Sequence, residues 1–148
     1  MPPILRNVLA VVAGIAAGAS VNMALVVLGA RLLPPPEGVD VNDVASINAH
    51  MPEYSVPQLL VPFVAHAAGT LAGATLAARL AATRRNALAF AIGAVFMAGG
   101  VAAVRMIEST PAWFAVLDLG MAYLPMAWLG AWLAGRRPGL RGADGPKA

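Results

Sequence analysis

Residues 56–85 of the chain, VPQLLVPFVAHAAGTLAGATLAARLAATRR, contain the run that decides the fold. Positions 59–80 form 22 residues in which His66 is the sole ionisable side chain before Arg79 in the last turn. A helix of that length spans about 33 Å at about 1.5 Å per residue, which crosses a bilayer core of about 30 Å. Two further arginines close the stretch, and arginines beside a span favour the cytoplasmic side. The stretch therefore predicts a membrane span that ends in the cytoplasm.

The composition of the whole chain indicates that lipid is its solvent. Apolar residues make up 59% of the 148 residues and charged residues 11%, whereas soluble domains carry roughly 25% charged residues. The mean hydropathy is +0.74. A soluble domain of this size keeps too much of its surface exposed to hide so much apolar area. We therefore predict an integral membrane protein.

The sequence lacks the patterns of several functional classes. It contains no cysteine, which excludes disulfides, thiolate metal sites and cysteine nucleophiles. It contains no HExxH, no GxSxG and no phosphate-binding loop, so we expect neither an enzyme nor a bound cofactor. The net charge of +3 arises from basic residues beside apolar segments, without a zinc-finger spacing or a recognition helix, and we expect no nucleic-acid partner.

Four apolar segments give the predicted domain organisation. They are residues 8–33, 59–80, 87–107 and 112–134. The loop of residues 34–58 begins with three prolines, which end the first helix. The other connections are short, which predicts one all-α domain over residues 1–135, an integral membrane four-helix bundle. Residues 136–148 are rich in Gly, Pro and Arg and are predicted to form a disordered basic tail.

The basic residues set the predicted orientation. Eight lie on the side of both termini, and two lie on the side of the 34–58 loop. The first set is Arg6, Arg79, Arg84, Arg85, Arg136, Arg137, Arg141 and Lys147, and the second is Arg31 and Arg105. Because positive residues accumulate on the cytoplasmic side, both termini are predicted to be cytoplasmic.

The outward-facing loop, residues 34–58, is acidic and contains no lysine or arginine. Asn42 or Asp43 is expected to cap a short helix that runs to His50. Together with Asp40, these three residues could be read as metal ligands, but their spacing lacks the glycine and the terminal glutamate of a calcium loop. A solvated loop without a bound metal is the favoured interpretation.

Glycines mark the predicted packing faces of the helices. The glycines predicted to pack are Gly14, Gly18, Gly69, Gly73, Gly93, Gly99 and Gly100. Small residues let helix backbones approach closely inside a membrane. Packing within the bundle is the favoured interpretation for Gly14 and Gly18, and a homodimer face is the alternative. Pro125 lies inside the fourth segment and predicts a kink or a released Met121 carbonyl, because proline lacks the amide hydrogen.

A cluster of polar side chains is predicted inside the bundle. Asn22, His66, Thr70 and Asp118 lie deep in their segments, and polar groups in the bilayer core usually face the bundle interior or a wet cavity. His66 and Asp118 lie at matched depths, each about 10 Å below the outer edge at about 1.5 Å per residue. We therefore predict that these two residues pair, with Arg105 as the competing partner of Asp118.

Two functions from different classes fit this cluster. The favoured interpretation is a non-enzymatic structural, assembly or accessory protein, whose polar groups hydrogen-bond between helices and fix one arrangement. The alternative is a small proton-coupled transporter that uses His66 and Asp118, because such carriers place titrating groups on the substrate path. A dry, packed pair favours the first function, and a water-filled cavity that reaches the pair favours the second.

Four stretches of the chain resemble a group of small, uncharacterised four-span bacterial membrane proteins. They are RNVLAVVAGIAAGASVNM (6–23), PPPEGVDVND (34–43), FVAHAAGTLAGA (63–74) and PAWFAVLDLGMAYLPMAWLGAWLAG (111–135). The resemblance implies a multi-pass protein of the bacterial inner membrane and no assigned activity. The expected partners of the protein are the lipid bilayer and either a second copy of the chain or another membrane protein.

Small multidrug carriers have a similar size and number of spans. They place an essential glutamate in the first span, and residues 8–30 of this chain contain none. Their function is therefore not carried over to this chain.

Overall fold

A computed structural model describes residues 1–135 of the chain, and within them the fold is helical, with 81% of residues in helices and no β-strand. This part of the chain forms α1 (Pro3–Leu32), α2 (Val44–His50), α3 (Val56–Leu80), α4 (Arg85–Met106), α5 (Ala112–Met121) and α6 (Leu124–Gly135). A 3-10 turn, Met51–Glu53, lies between α2 and α3. The predicted disordered tail, residues 136–148, lies outside the described residues.

Four helical units are long and apolar enough to cross a membrane. They are α1, α3, α4 and the pair α5–α6, which confirms the four predicted apolar segments and the all-α fold. Three helices begin earlier than predicted, α4 by two residues and the other two by more, α1 at Pro3 and α3 at Val56. α1 and α3 each carry a proline within their first two positions, where its missing amide hydrogen breaks no helical hydrogen bond.

The loop between α1 and α3 is bound to one end of the bundle. Asp43, one of the two predicted caps, begins α2 by accepting a hydrogen bond from the Ala45 amide at 2.9 Å. Asn48 donates to the Met106 carbonyl at 3.1 Å, and its Oδ1 accepts from the Ser109 amide at 3.0 Å. These bonds hold α2 against the connection between α4 and α5.

At the opposite end of the bundle, the first turn of α1 contacts the connection between α3 and α4. Arg6 Nε donates to the Leu80 carbonyl at 2.8 Å. The Asn7 side chain accepts from the Ala82 amide at 2.9 Å and donates to the Thr83 hydroxyl at 2.9 Å. The N-terminus and the α3–α4 connection therefore lie at the same end.

α1 and α3 bring their backbones into contact through glycines. A Cβ added at Gly14 would lie 2.8 Å from the Gly73 carbonyl oxygen, and one added at Gly73 would lie 2.6 Å from that of Gly14. Gly18 and Gly69 make the same reciprocal contact at 2.7 Å. Any larger side chain would push the two helices apart. The structure thus places Gly14 and Gly18 against α3 of the same chain.

Two neighbouring glycines of α4 have different surroundings. Gly100 is buried, and a Cβ added there would lie 2.7 Å from Cζ of Tyr123. Gly99 is exposed, and a Cβ added there would meet no atom of residues 1–135 within 4 Å. The prediction that Gly99 is a packing point is therefore wrong. Consecutive helical residues point about 100° apart, so Gly99 faces away when Gly100 faces Tyr123.

The fourth apolar unit is broken in its middle. α5 ends at Met121 and α6 begins at Leu124, with Ala122 and Tyr123 between them. Pro125 explains the break, because its ring clashes with the carbonyl four residues earlier and it has no amide hydrogen. The sequence predicted a kink or a released Met121 carbonyl, and the structure has an interruption of two residues, Ala122 and Tyr123, just before α6.

The buried side chains form two clusters. The larger one consists mostly of alanines from α3, α4 and α6: Ala74, Ala77, Ala78, Ala89, Ile92, Ala127 and Ala134. The smaller one, Met51, Leu59 and Phe114, lies beneath the loop. On α3 the polar side chains of the predicted cluster lie between these two apolar regions.

Candidate functional site

His66 and Asp118 form a pair between α3 and α5. His66 Nδ1 lies 2.8 Å from Asp118 Oδ1. The Asp118 side chain is 2% exposed, whereas 26% of the His66 side chain is exposed. The structure brings together the two residues that the sequence paired by their depth.

Tyr123, in the break between α5 and α6, completes the pair. Its hydroxyl donates to Asp118 Oδ2 at 2.8 Å and lies 3.1 Å from His66 Nδ1. Its ring stacks on the imidazole, with 5.8 Å between the ring centres and 29° between the planes. Tyr123 is itself buried, at 2% exposure. The three residues form one compact unit, which we call the His–Asp–Tyr triad.

The hydrogen bonds of the triad identify the free nitrogen of the imidazole. An ionised carboxylate only accepts, and Asp118 Oδ2 already accepts from Tyr123. When Asp118 is ionised, His66 Nδ1 carries the hydrogen of the bond to Asp118 Oδ1. His66 Nε2 has no hydrogen-bond partner among residues 1–135. With the hydrogen on Nδ1, this atom of the neutral imidazole is an acceptor.

Thr70 and Asn22 lie beside the triad and make no hydrogen bond to its side chains. Thr70 is fully buried and donates to the His66 carbonyl at 2.8 Å, one turn earlier on α3. Asn22, on α1, faces Gly69, where an added Cβ would lie 2.9 Å from Asn22 Cβ. The side-chain oxygen of Asn22 is buried and has no hydrogen-bond partner in the described part of the chain.

An outer cavity of about 380 Å³ extends from the loop to the triad. Pro35 and Tyr54 line its loop end, and His66 and Asp118 line its other end. Most of its remaining wall is aliphatic or aromatic. Burial raises the pKa of the Tyr54 phenol, so this side chain lines the cavity as a neutral hydroxyl.

An inner cavity of about 210 Å³ lies on the other side of His66. Its polar lining comes from Asn22, Thr70, His66 and Tyr123, and its aromatic lining also includes Phe96. The two cavities share three lining residues, His66, Gly100 and Ala103. His66 therefore stands in the wall between them.

Arg105 does not belong to this cluster. It is exposed in the last turn of α4, and within residues 1–135 Asp118 bonds instead to His66 and Tyr123. The prediction that groups Arg105 with the polar cluster is therefore wrong. Arg105 is five residues beyond Gly100, which faces Tyr123, and five residues turn a helix by about 140° past a full turn.

The polar residues of the loop use their atoms for local structure. Asp40 Oδ1 accepts from the Asn42 amide at 2.9 Å, and His50 Nδ1 lies 2.8 Å from the Ser46 carbonyl oxygen. Among residues 1–135 there is no group of three or more His, Cys, Asp or Glu side chains that could hold a metal ion.

Tyr123 is the site residue that the sequence did not predict. It lies five residues after Asp118, and in a continuous helix such residues point to different faces. The break in the helix brings the two side chains together. The available signal was Pro125, because a proline inside a span frees the chain just before it to leave helical geometry.

Comparison with known proteins adds no relative of the chain: no family model, no curated protein and no solved structure matches it. The geometry of the triad and its two cavities is therefore the basis for a function.

Proposed function

We propose that the protein is a multi-pass membrane protein that carries a small, mostly apolar cation in exchange for protons. The observation that supports this is the position of the His–Asp–Tyr triad at the end of the outer cavity. The helices and the loop form the wall of the outer cavity, and the triad contributes the Asp118 carboxylate, whose negative charge a proton on His66 would balance. The role is one of binding and transfer rather than catalysis.

The apolar surface supports a location in the membrane. Large apolar side chains are exposed along all four long helical units, including Leu28 on α1, Val64 on α3, Val95 on α4 and Val116 on α5. Exposed tryptophans lie near both ends of the broken unit, at Trp113, Trp128 and Trp132. Such residues suit the hydrocarbon core and its two interfaces, respectively.

The distribution of basic residues supports cytoplasmic termini and an outward-facing loop and outer cavity. The resemblance to small bacterial membrane proteins supports an inner-membrane location. This orientation is checked by two single-cysteine variants in the cysteine-free chain, Ala45→Cys on α2 and Thr83→Cys on the α3–α4 connection. In intact cells a membrane-impermeant maleimide should label the first and spare the second. Equal labelling of both in sealed cells would contradict the orientation.

The outer cavity has the size and lining of a ligand site. Ligand pockets enclose about 300–1,000 Å³, are mostly apolar and carry a few convergent polar groups. Here the imidazole and the carboxylate lie at one end of a mostly apolar wall, which also carries Tyr54, Gln58 and Thr110. Within residues 1–135 no lysine or arginine lines either cavity. The net charge at the site is therefore negative when His66 is neutral and Asp118 is ionised.

A proton on His66 would change that charge. With neutral His66 the triad carries the single negative charge of Asp118, and protonation of Nε2 brings the net charge to zero. A cation in the cavity is attracted by the first state and loses that attraction in the second, because nearby like charges disfavour each other. Binding of the cation and protonation of His66 thus compete, which is the requirement for exchange.

The break between α5 and α6 also supports a carrier. Carriers often build their sites from discontinuous helices, because irregular backbone at membrane depth is stable only inside protein or beside a cavity. Here the break supplies the hydroxyl that binds Asp118. A purely structural or accessory protein, the other function considered, needs polar groups that are closed off by packing, whereas this pair lines a cavity.

The proposal is tested with benzyltrimethylammonium, which has an apolar ring and a fixed positive charge. Purified protein is placed in vesicles of phosphatidylethanolamine and phosphatidylglycerol, and the internal pH is followed with a trapped dye. Addition of the cation outside should acidify the medium and raise the internal pH in protein-containing vesicles. The wild-type chain should show this movement, and His66→Gln and Asp118→Asn should lose it.

His50→Gln is the matched control, because His50 lines neither cavity. It should retain the proton movement of the wild-type chain. If the wild-type protein moves no protons when the cation is added, or if Asp118→Asn moves as many as the wild type, the carrier function is wrong.

A further inference from the structure

The inner cavity differs from the outer one in its chemistry. The outer cavity is mostly apolar and ends at a carboxylate, whereas polar residues make up four of the nine that line the smaller inner cavity. We infer that the inner cavity binds the N–H bearing ammonium group of a protonated primary or secondary amine, with the Asn22 side-chain oxygen as its acceptor. This inference rests on the proposed function for the positive charge of the ligand, and it names the chemical class of that ligand.

The first step is the state of Asn22. Its Oδ1 is buried and lacks a hydrogen-bond partner among residues 1–135, although buried polar atoms are nearly always paired. The residue lines the inner cavity. An unpaired acceptor beside a cavity is suited to a ligand that brings a donor.

The second step is the state of the other polar atoms. The Thr70 hydroxyl hydrogen points to the His66 carbonyl, and the Tyr123 hydroxyl hydrogen points to Asp118. Both oxygens keep lone pairs that accept. Nε2 of neutral His66 accepts as well. The lining therefore offers acceptors from Asn22 and from these three residues, which suits a group with several N–H donors.

The third step is the charge of the surroundings. Residues 7–30, which include Asn22, and residues 86–104, which include Phe96, contain no charged side chain. The nearest charge is the Asp118 carboxylate, to which two of the lining residues are bonded. The rings of Phe96 and Tyr123 add aromatic groups whose faces attract cations. Charge and aromatic content both favour a cation over an anion.

The fourth step links this site to the proton. An ammonium group in the inner cavity lies beside His66, so it opposes a second positive charge on the imidazole. The titratable groups that face His66 are Asp118 of α5 and Tyr123 of the break, with Tyr54 of the loop farther along the outer cavity. In the described chain α1 and α4 bring no titratable side chain to either cavity. Binding of the amine should therefore weaken as His66 becomes protonated.

The experiment measures equilibrium binding to the purified full-length protein in detergent by isothermal titration calorimetry. The probes are benzylamine, benzyltrimethylammonium, benzyl alcohol and benzoate, which share one ring and differ in charge and in N–H donors. Benzylamine should bind about 10- to 100-fold more tightly than benzyltrimethylammonium, which corresponds to the loss of one hydrogen bond that involves a charged group. Benzyl alcohol should bind more weakly than either cation, and benzoate should not bind.

Two variants test whether Asn22 causes the preference for benzylamine over benzyltrimethylammonium. Asn22→Leu removes the acceptor with little change in shape and should abolish the preference for benzylamine while retaining binding of benzyltrimethylammonium. That retained binding also shows that the variant is folded. Ser20→Ala is the matched control on the same helix, because Ser20 is exposed and bonds only to the Ala16 carbonyl among residues 1–135. It should keep the wild-type preference.

The inference is overturned if the two cations bind equally to the wild-type chain, or if the preference survives in Asn22→Leu. Tighter binding of benzoate than of benzylamine also overturns it, because the amide of Asn22 would then present its NH₂ group. The two proposals can fail separately. A preference for benzylamine without proton movement in vesicles supports this site and rejects the carrier, and proton movement without the preference does the reverse.

Discussion

The half of the bundle around Gly14 and Gly73 packs backbone against backbone, whereas the half around His66 leaves two cavities between the same helices. We call these the closed half and the open half. In the closed half most of the buried residues that meet are glycines and alanines, as at Gly93, whose added Cβ would lie 2.7 Å from Cβ of Ala127. In the open half larger side chains such as Phe96 and Phe114 line the space.

The difference shows how a small membrane protein can combine rigidity with a binding site. Helices that are already in lipid bury no further surface from water when they associate, so the hydrophobic effect does not drive their association. Close packing and interhelical hydrogen bonds hold them together instead. The closed half provides the close packing. The hydrogen bonds of the triad lie in the open half, where the helices are held without filling the space between them.

The largest expected effect is a bulky side chain in the closed half. Gly73→Leu would force its side chain against the Gly14 backbone and Ile92, and we expect a loss of about 3 kcal/mol, the upper end for overpacked sites. Thermal unfolding in detergent measures it. Gly99→Leu is the matched control on α4, because an added Cβ there meets no atom within 4 Å among residues 1–135. Equal unfolding temperatures for the two variants would show that the halves do not differ in packing.

Gly29 cannot serve as a neutral site in this comparison. It lies near the loop end of α1, and a Cβ added there would collide with the Val61 side chain. A leucine at Gly29 should therefore destabilise the bundle as well, by less than at Gly73, because a flexible side chain yields more readily than a backbone.

The second effect concerns the pair within the open half. His66→Leu and Asp118→Leu each leave a polar partner unpaired, so the double variant should lose less stability than the sum of the two. We expect a coupling energy between about 0.5 and 2 kcal/mol, the range for hydrogen bonds between helices in membranes. A double-mutant cycle measured by unfolding in detergent gives the value. The same cycle with Arg105→Leu in place of His66→Leu should show additivity, since Arg105 is exposed.

The parts of the structure that depend on local pattern could be predicted from the sequence. The apolar lengths predicted the four helical units, and matched depth along two parallel spans predicted the pairing of His66 with Asp118. Asp43 could be predicted as a cap because its side chain needs only the amide two residues later. Each of these inferences uses distances along one helix or a count of its turns.

The parts that depend on rotation about a helix axis or on a break could not be predicted. The choice between Gly99 and Gly100 requires the direction of α4 relative to Tyr123. Tyr123 itself enters the triad because the chain leaves helical geometry between Met121 and Leu124. Pro125 predicts a break in the helix, but it does not predict which side chain the break directs into the bundle.

The third effect is the loss of one hydroxyl. Tyr123→Phe keeps the ring against Gly100 and His66 but removes the hydrogen bond to Asp118 Oδ2. We expect a loss of about 0.6 kcal/mol, the average for such bonds in membranes, measured by unfolding in detergent. Tyr54→Phe is the matched control, because the Tyr54 hydroxyl makes no side-chain hydrogen bond among residues 1–135. If both variants lose the same stability, the hydroxyl of Tyr123 does not hold the carboxylate.

The smallest effect should have the opposite sign. Asn22→Leu replaces a buried, unpaired amide oxygen with a methyl group of similar size, and an unpaired buried polar atom disfavours the folded state. The variant should therefore unfold at the same temperature as the wild-type chain or slightly above it, with a gain of at most about 1 kcal/mol. Ser20→Ala, on the exposed side of the same helix, should be unchanged within error.

The sign of this effect separates a binding residue from a structural one. A residue that binds the helices together loses stability when it is replaced, as we expect for Gly73 and Tyr123. A polar residue that stays unpaired until a ligand binds lowers the stability of the free protein. Its replacement by an apolar residue should therefore raise the unfolding temperature and abolish recognition of the ligand. A fall in the unfolding temperature of Asn22→Leu as large as that of Tyr123→Phe would show that Asn22 contributes to packing, and the open half would then differ from the closed half in side-chain size alone.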